Sequence, residues 1–280
     1  MRTINLDQLT VIGVSALEMI RIAADVGYDG FSPIAMPIPE FDFPNQPFAD
    51  DEPLCRQVGQ LMRSTGMKLC NVDGFLLFPH SNVARFRKPL ENCARLGARS
   101  ITTLFFDGDR QRAEENFLRL CEMAETVGLI VLLEFTPMSA IGNLQECVAI
   151  LERINRPNSA LQLDAFHLAY SGGAPSDLAQ IDPRWIGSAQ LCDGPRNQTP
   201  EQYAYNVVNE RGLPGSGDLP LADFVKALPL DVPIGVEVPM QSLIDRSVTP
   251  LDRARLAFNA TLNTLDAAAR APCGKAGRHS

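Results

Sequence analysis

A closed (β/α)8 barrel is the fold this sequence predicts, and three observations carry the expectation. Apolar segments rich in β-branched residues alternate with segments of helical period, giving eight strand–helix units in the chain of 280 residues. Their strand centres recur every 25–45 residues or so, with no composition break to mark a boundary. The first predicted strand and the turn after it, LTVIGVSALEM, hold a single glycine, whereas a doubly wound open sheet wants a Gly-rich phosphate turn there.

The elements follow in order. LTVIGV (9–14) reads as the opening strand, and Ser15 to Val26 as the first helix. GFSPIA (30–35) is the second strand, followed by a long Pro-rich loop to Asp51. Leu54, Val58, Leu61 and Met62 give the next helix its apolar stripe. LCNVDGFLLF (69–78) is the third strand, and a helix starts near Pro89, a residue suited to the first helical position. ITTLFF (101–106) precedes an amphipathic helix marked by Ala113, Phe117, Leu120, Cys121 and Ala124. LIVLLEF (129–135) is the strongest strand signal, and Leu144, Cys147, Val148 and Leu151 mark the helix after it. ALQLDAF (160–166), a short helix from Ser176, IGSAQL (186–191), a polar loop, a helix around 221–228 and PIGVEV (233–238) extend the series. Leu251, Ala254, Phe258, Leu262 and Leu265 form the closing helix. The barrel is expected to span residues 1–268, with 269–280 a flexible C-terminal tail of small and polar residues.

Composition narrows the function classes. Hydrophobic residues make up 45% and charged residues 21%, the range of globular chains. The formal net charge is −8, and no Lys/Arg run offsets it, which argues against nucleic acid and anionic membranes as partners. No apolar run is long enough to span a bilayer, and MRTINLDQL lacks the apolar stretch of a signal peptide, so a cytoplasmic location is expected. The seven cysteines are an odd number with no CxxC pair, so neither a structural zinc site nor a disulfide framework is expected. Self-association is left open by these features.

In a barrel the carboxyl ends of the strands form the active face, so a polar residue ending an apolar strand is the feature to find. Glu134 closes IVLLEF, Asp164 follows ALQL, Gln190 sits in IGSAQL and Glu237 interrupts PIGVEV. Buried carboxylates at matching strand ends call for a compensating cation. Each acid could pair separately with an Arg or Lys; a shared divalent ion accounts for all four residues together. Hard oxygen ligands favour Mn2+, Mg2+ or Co2+. His167, three residues after Asp164, can face the mouth if the strand ends there and the chain turns. His80, just after the third strand, is a second candidate for the mouth. RGLPGSGDLPL (211–221) reads as a shaped loop whose glycines let the backbone approach a ligand, with Arg211 placed to reach an oxyanion or carboxylate.

LLEFTP, LQLDAFHL, AQLCDGP, RGLPGSGDLPL and GVEVP together resemble the signature segments of the xylose-isomerase-like barrel superfamily. That superfamily includes sugar epimerases, inosose-processing enzymes, dehydroshikimate dehydratases and endonuclease IV. The resemblance implies that Glu134, Asp164, Gln190 and Glu237 hold one divalent metal; Glu134, Glu237 and His167 are expected to handle protons, and Arg211 and His80 to bind substrate. The third ligand is usually histidine in the epimerase branch; Gln190 is similar to the dehydroshikimate dehydratase branch. Endonuclease IV needs a three-metal cluster with more histidines than this chain supplies.

The expected activity is a divalent-metal-dependent isomerase or epimerase of a sugar or keto-polyol. It would abstract a proton next to a carbonyl and pass through a metal-stabilised enediolate. Two alternatives stand beside it. One is a metal-dependent dehydratase of 3-dehydroshikimate, another cyclic keto acid or an inosose-like keto compound; the other is a catalytically silent sugar-binding subunit.

Overall fold

The computed structural model describes residues 2–41, 44 and 47–270. Nine parallel strands form one sheet: β1 (Ile4–Asp7), β2 (Gly30–Ser32), β3 (Lys68–Leu69), β4 (Asn71–Val72), β5 (Ser100–Thr103), β6 (Ile130–Glu134), β7 (Ser159–Asp164), β8 (Ile186–Leu191) and β9 (Ile234–Val236). Their order, β3-β2-β1-β9-β8-β7-β6-β5-β4, begins and ends on two strands that Cys70 alone separates. β3 pairs with β2 and β4 pairs with β5, so residues 68–72 act as one stave of an eight-staved barrel. The closure removes the free sheet edges that an open sheet would expose.

The first strand departs from expectation. β1 lies at Ile4–Asp7, while Gln8–Val11 form a 3-10 turn that overlaps the span predicted as strand. The Gln8 amide donates to Val14 O at 3.2 Å and holds that turn closed. Thr10 Oγ1 donates to Val236 O at 2.7 Å and accepts from Val238 N at 2.8 Å, continuing the hydrogen bonding past the end of β9. ALQLDAF also divides: β7 stops at Asp164 and a helix, Ala165–Tyr170, starts at once. The polar loop expected after β8 contains a helix, Pro200–Asn209, capped by Thr199 and Gln202. The closing helix runs Pro250–Arg270, and the rest of the expected tail, 271–280, lies outside the described residues.

Side chains alternate across a strand. Leu6, Phe31, Val72, Ile101, Leu133, Leu163, Leu191 and Val236 are buried on the helix-facing layer of the core. Most of the alternate positions are polar and buried as well: Asn5, Asp7, Ser32, Asn71, Ser100, Thr102, Glu134, Gln162, Asp164, Ser188, Gln190 and Glu237. They bond to one another between neighbouring strands. Asn5 Nδ2 donates to Ser32 Oγ at 2.7 Å, Asn71 Nδ2 to Thr102 Oγ1 at 2.7 Å, and Ser100 Oγ to Asn71 Oδ1 at 2.8 Å. The barrel thus has a greasy outer core and a polar axis that rises toward the carboxyl ends of the strands. Among the described residues no helix is long and apolar enough to cross a membrane.

Candidate active site

At the carboxyl ends of the strands the barrel opens into a cavity of about 810 Å³ that includes its open mouth. Glu134, His167, Gln190, Arg211 and Glu237 reach its floor, together with Asp73, Thr102 and Thr136. Its walls are apolar: Ile34, Ile38, Phe41, Phe106, Met138 and Val207 surround the mouth.

Asp164 ends β7 and caps the helix that follows. Its Oδ1 accepts the amides of Phe166 at 2.6 Å and His167 at 3.2 Å. That immediate turn is what brings His167 round to the cavity. His167 Nε2 lies 3.7 Å from Glu134 Oε1 and 3.9 Å from Asp164 Oδ2. Glu134, Asp164 and His167 offer donor atoms all within 4.8 Å of one another, a spacing that a metal ion can bridge.

Arg211 sits inside the site rather than arching over it. Its Nη1 donates to Asp164 Oδ2 at 2.7 Å and lies 3.2 Å from Glu237 Oε2, so one guanidinium links two of the four strand-end groups. Nε and Nη2 donate to Val207 O at 3.0 and 2.8 Å, and the guanidinium packs on the Phe166 ring. The side chain is 1% exposed. His80 is placed differently: it is exposed, stacked on Phe78, its Nε2 lies 2.7 Å from Glu40 Oε1, and it is not among the residues that line the cavity.

The glycines of the 211–221 loop have a structural use. They let the loop close around Asp193. Asp193 exchanges backbone bonds with Gly212 at 2.8 and 2.7 Å, and its carboxylate accepts the amides of Gly215 and Leu219 at 3.0 Å each. A Cβ on Gly217 would fall 2.4 Å from Asp193 Oδ1. Asp193 therefore builds the loop that carries Arg211.

Two acids at the site escape the sequence reading. Asp7 ends β1 and Asp73 follows β4, and both face the polar axis. Gln190 Nε2 donates to Asp7 Oδ2 at 2.9 Å, and Asn5 Nδ2 to Asp7 Oδ1 at 2.7 Å. The alternation in INLD and NVD is the available signal; short strands with polar inward residues resemble loops, and that hides it. Tyr203, from the unexpected helix, escapes as well: its hydroxyl lies 2.8 Å from His167 Nδ1.

The electrostatics reflect this crowding of acids. Burial, then the neighbouring Glu237 and Asp164, push Glu134 well above the usual carboxylate range. Burial raises Glu237 to about 8, and burial with repulsion from Asp73 raises Asp7 to about 7; burial and Glu237 bring Asp73 to about 7 as well. Burial works against the Asp164 carboxylate too, but Arg211 and His167 outweigh it and hold Asp164 low. Burial lowers His167 to about 4, so its imidazole is neutral near pH 7.

The donor set fits a divalent cation. When Glu134, Asp164 and Glu237 are all ionised, the single Arg211 guanidinium leaves a surplus of two negative charges in a buried site. Gln190 adds an independent sign. Asp7 fixes its amide nitrogen, and the opposite atom, Gln190 Oε1, is buried without a hydrogen-bond partner. An orphaned carbonyl oxygen beside three carboxylates is a hard ligand suited to a hard cation.

Residues 20–260 match the family model of xylose isomerase-like TIM barrels. The chain belongs to that family. Among its xylose isomerase-like relatives, the inosose isomerase of Bacillus subtilis (strain 168) is 23% identical over 158 residues, covering 52% of this chain and 55% of the relative. The match thus spans little more than half the length of that relative. A crystal structure of the IolI protein with a bound zinc atom superposes with a TM-score of 0.77 at 18% identity, covering 95% of this chain and 98% of the other. D-allulose 3-epimerase from Methylomonas sp., solved in complex with D-allulose, gives 0.70 at 16% identity over 94% of this chain and 96% of the other. These structural likenesses establish the shared barrel.

Proposed function

We propose that this xylose isomerase-like barrel is a divalent-metal-dependent isomerase or epimerase of a sugar or keto-polyol. The observation that carries the reading is the buried Gln190 Oε1, left without a partner among Glu134, Asp164 and Glu237. Those four residues would hold one Mn2+, Mg2+ or Co2+ ion. The ion supplies electrophilic stabilisation of the charge that develops on the substrate oxygens. The names of the relatives, an inosose isomerase and a D-allulose epimerase, support the same class of substrate.

The chain's own groups account for the rest. Glu134 and Glu237 lie at the ends of β6 and β9 and face the cavity from two sides, as an exchange of protons at a carbon next to a carbonyl requires. In their ionised form the two carboxylates would take and return the carbon-bound proton. His167 presents Nε2 beside Glu134 and handles the proton of a substrate oxygen. Arg211 keeps Asp164 ionised and offers its cavity-facing edge to a substrate oxygen or carboxylate. The apolar walls exclude water from the reacting carbons.

A second reading rests on the same glutamine. An amide at the third ligand position is the feature similar to dehydroshikimate dehydratases, and in that reaction the same proton abstraction is followed by loss of a β-hydroxyl.

The test is an NMR screen of keto-sugars, inososes and 3-dehydroshikimate in D2O with added Mn2+. The proposal expects metal-dependent exchange of the proton next to the carbonyl with formation of an isomer. Glu134→Gln should lower that rate by about 10²–10⁴-fold. Elimination without isomer would transfer the assignment to the dehydratase, and no exchange with any compound would overturn both.

A further inference from the structure

We infer that Asp73 is a specificity residue: it accepts a hydrogen bond from a substrate hydroxyl on the side of the cavity away from Gln190, and so selects a neutral polyhydroxy substrate over one that carries a carboxylate or phosphate there. The inference rests on the proposed isomerase reading and deepens it, because it concerns which substrate enters and not how the carbon reacts.

The barrel builds the same polar unit twice. In Asn5-Leu6-Asp7, Asn5 Nδ2 donates to Asp7 Oδ1 at 2.7 Å and to Ser32 Oγ on β2 at 2.7 Å. In Asn71-Val72-Asp73, Asn71 Nδ2 donates to Asp73 Oδ1 at 3.1 Å and to Thr102 Oγ1 on β5 at 2.7 Å. Each time, an asparagine binds an aspartate two residues on and a hydroxyl of the next strand. The units differ at the rest of the carboxylate. Asp7 Oδ2 accepts from Gln190 Nε2 at 2.9 Å, and Asp7 is 2% exposed. Asp73 is half-buried and lines the cavity. Hydrogen bonds from Thr102 and Asn71 reach it, and no other side chain donates to it among the described residues. An ionised carboxylate offers about four acceptor positions. The place that Gln190 fills beside Asp7 is thus open to a ligand beside Asp73.

The backbone fixes where that place lies. Asp73 N donates to Pro33 O at 2.9 Å, and Ala35 N donates to Asp73 O at 3.1 Å. Around the barrel, the stave of β4 is four removed from that of β8, so Asp73 and Gln190 project from opposite walls. A substrate whose carbonyl end lies among Glu134, Gln190 and Glu237 turns its other end toward Asp73.

Charge decides what that other end can be. The influences on Asp73 are burial, the neighbouring Glu237 and two neutral donors; no cation is among them. Arg211 is the one arginine or lysine lining the cavity among the described residues. It enters from the loop between β8 and β9, and Asp164, Glu237 and Val207 O hold its guanidinium. A hydroxyl can donate to an ionised Asp73. A carboxylate or phosphate would instead meet an uncompensated negative charge in a site already rich in acids. Discrimination then comes from the repulsion as well as from the hydrogen bond. A keto acid placed with its carboxylate at that end is disfavoured, which favours the isomerase over the dehydratase.

The experiment is calorimetric titration of the Mg2+-loaded full chain at pH 8, above the value of about 7 to which Asp73 is raised. The probes are D-allulose, D-allulose 6-phosphate and scyllo-inosose; the first two share a carbon chain and differ by a terminal phosphate. The wild type should bind D-allulose at least about 10-fold more tightly than its phosphate. Asp73→Asn, which keeps an acceptor for Asn71, should narrow that ratio by about 10-fold, and Asp73→Ala should weaken D-allulose and scyllo-inosose by a similar factor. Proton exchange in D2O, measured on the same proteins, separates this inference from the reading beneath it. Exchange in the wild type with an unchanged ratio in Asp73→Asn, or tighter wild-type binding of the phosphate, would overturn the inference and leave the isomerase standing. Neither binding nor exchange of any probe by the wild type would overturn both.

Discussion

Gln190 and Asp7 meet at a hydrogen bond of 2.9 Å, Nε2 to Oδ2, and the Asp7 carboxylate packs directly against Gly235. In its ionised form the Asp7 carboxylate can only accept, and it then holds the amide nitrogen of Gln190 toward itself and the oxygen away. Orientation of a ligand by a partner behind it is how protein metal sites hold their geometry. A Cβ on Gly235 would lie 2.2 Å from Asp7 Oδ2. Gly235→Ala should therefore displace Asp7, cost about 1–3 kcal/mol of stability by overpacking, and weaken metal binding together with it. Chemical denaturation and calorimetric metal titration of the same variant check both; a destabilised protein with unchanged metal affinity would separate Asp7 from the site.

Arg211 carries structure as well as chemistry. Its guanidinium reaches both Asp164 and Glu237, and its loss would leave buried acids uncompensated. Arg211→Ala is expected to lower stability by about 3–5 kcal/mol and to abolish turnover. Arg211→Lys should recover little, because a single ammonium cannot reach Asp164 and Val207 O together. Thermal unfolding of the two variants checks this, and an unchanged melting temperature in Arg211→Ala would show the arginine serves substrate alone.

The acid cluster also sets a pH dependence. Asp7 and Asp73 are raised to about 7 and Glu237 to about 8. The stability tied to their protonated forms is fully present below the ordinary carboxylate range and is lost as pH rises through those values. His167, lowered to about 4, acts in the opposite sense, and its contribution is complete by its ordinary value of about 6.5. It offsets only one of the raised acids. Asp164, lowered as well, acts only below the ordinary carboxylate range. Protein stripped with chelator should therefore melt at falling temperatures from about pH 5 to about pH 8, unopposed by His167 over the upper half of that range. Mn2+ should flatten the slope by compensating the ionised acids. A slope that is flat without metal would mean that the acids are compensated within the chain.

Much of this site is legible in the sequence, and the reason is physical. Glu134, Asp164, Gln190 and Glu237 end strands whose neighbouring residues are apolar, so each stands out against its own segment. Asp7 and Asp73 end short strands in which every inward residue is polar. INLD and NVD offer at most two alternations, too few to separate strand from loop, and the stronger apolar run LTVIGV draws the first strand onto a 3-10 turn. His167 is legible because its spacing from Asp164 allows a turn, which the helix Ala165–Tyr170 supplies. Its partner Tyr203 is not, because a contact between residues 36 apart leaves no periodic trace.

Gln190 should also set the metal preference. Glutamine offers an oxygen where histidine would offer a nitrogen; both are neutral, so the charge of the site is unaltered and only its hardness changes. The wild-type protein should work best with Mn2+, Mg2+ or Co2+, and Gln190→His should shift the order toward Zn2+. Activity across a metal series after chelation checks this. Identical profiles for the two proteins would remove Gln190 from the ligand set.

The central claim is that Glu134, Asp164, Gln190 and Glu237 hold one divalent ion, and calorimetric titration of the stripped protein with Mn2+ tests it most directly. One ion per chain is predicted for the wild type, with binding lost in Asp164→Asn and in Glu237→Gln and weakened in Gln190→Ala. Absence of Mn2+ binding by the folded wild-type protein, or full binding by Asp164→Asn and Glu237→Gln, would contradict it.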